Sequence, residues 1–289
     1  MPGKSDSLPR EAAPISTRPL LWLNLVCLDA PLVAVSWLWL FARNLHRAVS
    51  LPGAVALFLT AWLIYLVDRW AHSISLPPAS AVSPRGQFCS RHKRIWAVVI
   101  AVVALLDAAI IFSKLDHRTI VYGLGVGMIA AIYLAVNHFV NQFWRTIPLK
   151  EITVGTLFAA GTLLIFASTS SSSFSATMDV AALLFACLCF LNCVSIARWE
   201  RDLDIGQGKT SMATRWPVAT RHTRTLLGFL AGACVVLALF DPGLWSLALC
   251  LGLSALCLLA LDLVSVKPAE RTALADLVLL TPLLILLIE

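Results

Sequence analysis

Charge is what this sequence has least of. Asp, Glu, Lys and Arg make up 13% of its 289 residues, while 59% are hydrophobic. A soluble domain carries roughly 25% charged and about 45–50% apolar residues, so a soluble domain is excluded. A nucleotide-binding loop is excluded by one missing glycine. Gly208-Lys209-Thr210 has the end of such a loop, but Leu203 stands five residues before Gly208 where glycine is required. The eight cysteines lack metal-site spacing, and seven of them lie in apolar runs as small packing residues. Inverted repeats and Gly/Pro-broken spans in matching halves are also missing from the sequence pattern, which counts against secondary transport.

What is there is a succession of apolar runs. Nine are predicted to cross a membrane: Leu20–Phe41, Leu51–Trp70, Ile95–Phe112, Ile120–Val140, Ile152–Ala167, Val180–Ile196, Thr225–Phe240, Leu244–Leu263 and Ala273–Ile288. A spanning helix needs about 20 apolar residues, and tilt or local thinning accommodates somewhat shorter ones. The expected protein is all-α and polytopic, a single membrane domain over residues 20–289 behind a flexible tail of residues 1–19. The polar start is expected to be such a tail and not a cleaved signal, since the run that follows exceeds a signal core in length. With nine alternating spans, eighteen Lys and Arg fall on one side and four on the other, the four being Arg43, Arg47, Lys114 and Arg118. The positive-inside rule then predicts a cytoplasmic amino terminus and an external carboxyl terminus. The net charge of +6 reflects this topology and requires no nucleic acid.

The most charged passage is Asn192 to Ser211, at the end of the sixth run. Glu200 and Asp204 are four residues apart, on one face of a continuing helix, where like charges destabilise unless something positive offsets them. Arg198, Arg201 or a divalent cation would do so; Mg²⁺ is commonly held by one or two carboxylates and completed by substrate phosphate. Asp68 and His72 repeat the four-residue spacing at the end of the second run. That pair reads equally as an Asp68–Arg69 anchor in an aromatic belt of Trp62, Tyr65 and Trp70. Asn137, His138 and Asn141 close the fourth run, and Lys150 opens the fifth. The carboxylates of Asp29, Asp107, Asp262 and Asp276 lie inside apolar runs, so each is expected to face the bundle interior or a polar cavity.

These elements resemble the UbiA-type intramembrane prenyltransferases. Glu200-x-x-x-Asp204-x-x-x-Gly208-Lys209-Thr210 is similar to that superfamily's second signature, with Glu in the place of the first Asp. The first signature, Asn-Asp-x-x-Asp-x-x-x-Asp, falls on Ile64, Tyr65, Asp68 and His72, so one of three carboxylates is kept. The Tyr-x-x-x-Lys element falls on Thr146 and Lys150. The resemblance implies a helical bundle around a central cavity and Mg²⁺-dependent transfer of a prenyl group from a prenyl diphosphate to a lipophilic acceptor, an aromatic one in many members. It also implies that Glu200 and Asp204 hold one Mg²⁺ and that Asp68, with His72, holds a second. Lys150, Lys209 and Arg201 would bind diphosphate. Asn192, Asn137 and Asn141 would contact substrate, and the Ser73–Arg94 connection would supply a cap. The altered first signature leaves a second reading open, a non-catalytic relative that binds a lipid or isoprenoid.

Overall fold

The computed structural model describes residues 19–75, 84–139, 149–168 and 175–288. Among these residues the chain is helical, with no β-strand. The first apolar run forms α1 (Pro19–Leu25) and α2 (Asp29–Asn44); α3 (Leu51–Ser75) follows. The basic connection contains a short α4 (Pro84–Arg91) before α5 (Lys93–Lys114), α6 (His117–Phe139), α7 (Lys150–Ser168) and α8 (Ala176–Trp199). Three short helices, α9 (Arg201–Gly206), α10 (Met212–Arg215) and α11 (Pro217–Thr220), carry the charged passage. Then come α12 (Thr223–Phe240), α13 (Trp245–Leu263), α14 (Pro268–Leu277) and α15 (Pro282–Ile288).

Six helices are long and apolar enough to cross a membrane: α3, α5, α6, α8, α12 and the segment around α13. Their outer faces require an apolar solvent. Leu105 and Phe112 on α5, Met128 and Ile132 on α6, and Phe229 and Leu239 on α12 are large, hydrophobic and exposed. Surfaces of this kind fit contact with lipid, and helices satisfy their backbone polar groups internally, as hydrocarbon demands. The chain is therefore a helical integral membrane protein.

The remaining three expected spans take other forms. The fifth is α7, and the first and last are each interrupted. Cys27 adopts φ 57° between α1 and α2, in the left-handed region that non-glycine residues seldom occupy. Asp29 then opens α2, where an acid suits the helix dipole; its carboxylate accepts hydrogen bonds from the Asn24 amide and the Ala30 N–H. In the last run α14 gives way to a single 3-10 turn, Val278–Leu280, before Pro282 starts α15. Proline lacks an N–H, so a helix begins there without losing a donor. The carbonyls released at this turn are met from neighbours: Trp37 Nε1 donates to Leu279 O at 2.8 Å, and Ser254 Oγ to Val278 O at 3.1 Å. Hydropathy predicted the first and last runs as continuous spans, and the structure interrupts each. One break is a left-handed cysteine and the other a tertiary substitution of hydrogen bonds, neither of which hydropathy registers.

The core lies where α2, α8 and α13 meet. Trp37, Phe41 and Phe185 are almost wholly buried, with Trp37 and Phe185 ring centroids 4.7 Å apart. Helix α7 approaches α8 closely at Gly155, where a Cβ would sit 2.6 Å from the Phe190 backbone nitrogen. At the end of α8, Asp262 of α13 draws together Arg198, Trp199 and Arg224, so this buried carboxylate is a cross-helix clamp. A second apolar cluster joins α3, α4 and α5 through Leu66, Cys89, Trp96 and Val103. Phe88 of α4 meets Trp22 of α1 edge-on at 6.0 Å, so part of the Ser73–Arg94 connection is packed helix.

Candidate functional site

The charged passage is shaped by its own backbone. Helix α8 stops at Trp199, and Glu200 forms the junction with α9. Helical spacing nevertheless survives across it, because Asp204 N donates to Glu200 O at 2.8 Å. Helix α9 ends in a Schellman turn: Gly208 N bonds Ile205 O at 3.0 Å, and Lys209 N bonds Asp204 O at 2.9 Å. Gly208 takes φ +65°, the left-handed conformation that this turn needs and glycine adopts without strain. The turn folds Lys209 back toward Asp204. Ser211 then caps α10, exchanging hydrogen bonds with Thr214 in a capping box.

Helix α7 holds the following loop at two points. Lys150 Nζ donates to Thr210 O at 3.4 Å, and Glu151 Oε1 accepts from Met212 N at 2.7 Å. Glu151 is 5% exposed, and its other oxygen has no hydrogen-bond partner. Arg201 Nε donates to Ala213 O at 3.2 Å, so this side chain ties α9 to α10.

Asp204 is buried. Burial raises its carboxyl above the usual range, while Lys209, the Ser211 hydroxyl and Lys150 pull it back. Burial also lowers the Lys209 ammonium, to about 8; Asp204 opposes that shift, and Arg69 and Lys150 reinforce it. Lys209 thus lies in the field of α3, α7 and the end of α8 at once.

Asp68 joins the same region from α3. Asn137 Nδ2 donates to its Oδ1 at 3.4 Å, and His138 Nε2 lies 3.3 Å from that oxygen. The histidine contact has ion-pair separation without hydrogen-bond alignment, since His138 Nε2 makes no hydrogen bond. The Asp68 side chain keeps 38% of its surface accessible. Lys150 lies within Coulombic reach of Asp68, as Lys209 does of His72. Arg69 lies within Coulombic reach of Asp68, Glu200 and Asp29, and its Nε is buried without a hydrogen-bond partner. One end of the bundle thus brings together Asp68, Arg69, His72, Asn137, Lys150, Glu200, Asp204 and Lys209. Asn141 and Thr146 lie outside the described residues.

Asn192 is elsewhere. Its Nδ2 donates to Asp276 Oδ1 at 2.9 Å, two helical turns deeper than Glu200 on α8. Sequence reasoning missed Glu151, Arg69 and Asp276 as members of a site. Glu151 and Arg69 were legible only as charges beside Lys150 and Asp68, and Asp276 only as an intramembrane carboxylate; burial singles out Glu151, and the Asn192 contact Asp276.

Mg²⁺ takes one or two protein carboxylates and completes its octahedron with water and phosphate. Glu200 and Asp204 have the oxygen chemistry for that role, and the buried Asp204 carboxyl feels Glu200 as a like charge that a cation would relieve. Among the described residues, no three His, Cys, Asp or Glu side chains are grouped as a self-sufficient metal site. No protein-family model matches the chain, and no curated protein matches it in sequence.

Proposed function

We propose that this chain is a UbiA-like prenyltransferase, moving a prenyl group from a prenyl diphosphate to a lipophilic acceptor in a Mg²⁺-dependent reaction. The observation that carries this reading is the meeting of Asp68, Arg69, Lys150, Asp204 and Lys209 from separate elements at one end of an apolar bundle. In this reading nine crossings are made, the interrupted first and last segments counting as one each. The charged end faces the cytoplasm with the amino terminus, and the carboxyl terminus lies outside. Glu200 and Asp204 would hold one Mg²⁺ and Asp68 with His72 a second, and such ions would supply positive charge for a diphosphate leaving group. Lys209, Lys150 and Arg69 bind the diphosphate oxygens, and the apolar surroundings strengthen each contact. The carbon–oxygen bond to the diphosphate breaks with both electrons leaving on oxygen; the acceptor bonds to the freed carbon and releases a proton. The apolar interior keeps water from that carbon.

A second reading, a non-catalytic relative that binds an isoprenoid or lipid, is favoured by Asp68. Its Oδ1 already contacts Asn137 and His138, and His72 stands among cationic neighbours where a metal would be repelled. The test is farnesyl diphosphate affinity in nanodiscs, with Mg²⁺ and with a chelator. The transferase reading expects Mg²⁺ to tighten binding at least tenfold and Glu200→Gln/Asp204→Asn to abolish that gain. Equal affinity with and without Mg²⁺, untouched by the double substitution, removes the metal site and leaves the binding protein.

A further inference from the structure

The corner between α4 and α5 is charged in one sign only. Arg91, Lys93 and Arg94 are exposed there, and none of them is paired with a carboxylate among the described residues. The sequence offers no acid between Asp68 and Asp107, a stretch that also holds Arg69 and Arg85. The corner itself is fixed. The His92 N–H bonds both Phe88 O and Cys89 O, at 3.2 and 3.1 Å, and Trp70 Nε1 of α3 donates to Lys93 O at 3.3 Å. That last bond sets the three cations at the same end of the bundle as Asp68 and His72. Directly beneath them α5 is apolar and open. Arg94, Val98, Val102 and Leu105 recur at helical spacing on one face, with Val98 63% and Leu105 72% exposed. The opposite face is the packed one, where Trp96 and Val103 join the α3 cluster and Asp107 accepts from Thr60. Leu105 lies eleven residues beyond Arg94, about 16 Å of rise, close to one leaflet's half of a hydrocarbon core of about 30 Å.

We propose that this corner binds one anionic phospholipid. The lipid phosphate lies against Arg91, Lys93 and Arg94, and an acyl chain runs down Val98, Val102 and Leu105. The occupant follows from the two halves of the surface taken together. Cations without a carboxylate call for an anion, and basic residues at the edge of a membrane draw anionic headgroups. The open stripe that begins one turn below calls for hydrocarbon, and a lipid joins both in one molecule. A zwitterionic headgroup would bring a cation of its own into the cluster, so the preference is for net negative charge. Through the Trp70–Lys93 bond the lipid also braces the end of α3 that carries Asp68 and Arg69. The site stands whether or not the chain is a transferase, because none of its residues belongs to the proposed diphosphate site.

Native mass spectrometry of the full chain, delipidated in a neutral detergent, counts bound lipids one at a time. The probes are dioleoyl phosphatidylglycerol and dioleoyl phosphatidylcholine, which share acyl chains and differ in net charge. The first phosphatidylglycerol should bind roughly tenfold or more tightly than the first phosphatidylcholine, since each basic residue beside a headgroup contributes about fivefold. Arg91→Gln/Lys93→Gln/Arg94→Gln should bring the two lipids level. Arg118→Gln/Arg221→Gln/Lys267→Gln, the same loss of charge at three exposed residues elsewhere, should keep the preference. Arg94→Gln alone should weaken phosphatidylglycerol by about fivefold, and decides the matter if the triple variant does not fold. Glycerophosphoglycerol, the headgroup without acyl chains, should displace the lipid only in large excess. Displacement at equal concentration means a site for free anions and overturns the proposal. Equal affinity for the two lipids in the unaltered protein, or an equal loss in both triple variants, means unspecific surface charge and overturns it as well. A dimer that only the first triple variant dissolves, without a lipid preference, gives the surface to a second copy instead. Neither Mg²⁺ nor diphosphate is added, so this result and the farnesyl diphosphate result fail independently.

Discussion

Lys209 shows what one residue gains from its backbone. The Schellman turn at Gly208 sets it above Asp204, and burial lowers its ammonium to about 8 from an ordinary value near 10.5. Its folded pKa lies below its unfolded one, so the unfolded chain keeps the proton in the window between the two. Stability from this group therefore rises as pH climbs from about 8 to about 10.5. Anion binding runs the other way, because only the ammonium attracts diphosphate. Farnesyl diphosphate affinity should fall as pH rises through about 8. Lys209→Arg, which stays charged, should remove the fall. A decline of the same midpoint in Lys209→Arg would assign the titration to another group. The sequence spaced Lys209 from Asp204 by five, and only the left-handed glycine between them turns that spacing into proximity.

At the scale of elements, hydropathy made the long helices legible, because a run of 20 apolar residues has one stable form in lipid. It did not make the interruptions legible. Hydropathy sums over windows, whereas the breaks at Cys27 and at Val278–Leu280 depend on one dihedral and on donors from Trp37 and Ser254. Within the candidate site, Glu200 and Asp204 were readable from their spacing, while the depth of Asn192 was readable but its partner Asp276, 84 residues away, was not. The α7–α8 contact offers a test of how tightly elements are set. A Cβ on Gly155 would meet the Phe190 backbone at 2.6 and 2.7 Å, and backbone cannot swing aside as a side chain can. Gly155→Ala should destabilise the protein by about 1–3 kcal/mol, as overpacking does. Gly161, on the same helix, has nothing within 4 Å of an added Cβ, so Gly161→Ala should be neutral or slightly stabilising. Thermal unfolding in one detergent compares the pair; equal midpoints would mean that α7 and α8 separate freely.

At the scale of the whole molecule, the ends of the bundle differ in kind. The carboxyl ends of α3, α6 and α8 and the amino end of α7 share one face, joined through Asp68, Asn137, Lys150 and Thr210. Helix α5 has 22 residues, about 33 Å of rise, enough to carry the chain across a hydrocarbon core of about 30 Å. It leaves the basic Arg91–Arg94 cluster and ends at the turn before His117, opposite the charged face. By the positive-inside rule, the lopsided Lys and Arg distribution predicts a cytoplasmic charged face, with Lys114 and Arg118 among the four residues on the other side. Two exposed positions make this assignment measurable, Gly206 after α8 and His117 at the start of α6. The eight native cysteines are buried or partly buried, which keeps their background low. A membrane-impermeant maleimide should modify Gly206→Cys only from the cytoplasmic side and His117→Cys only from the other. Modification of both from one side would mean that α5 and α6 do not traverse the bilayer, and the charged cluster would then need another explanation than a site facing the cytoplasm.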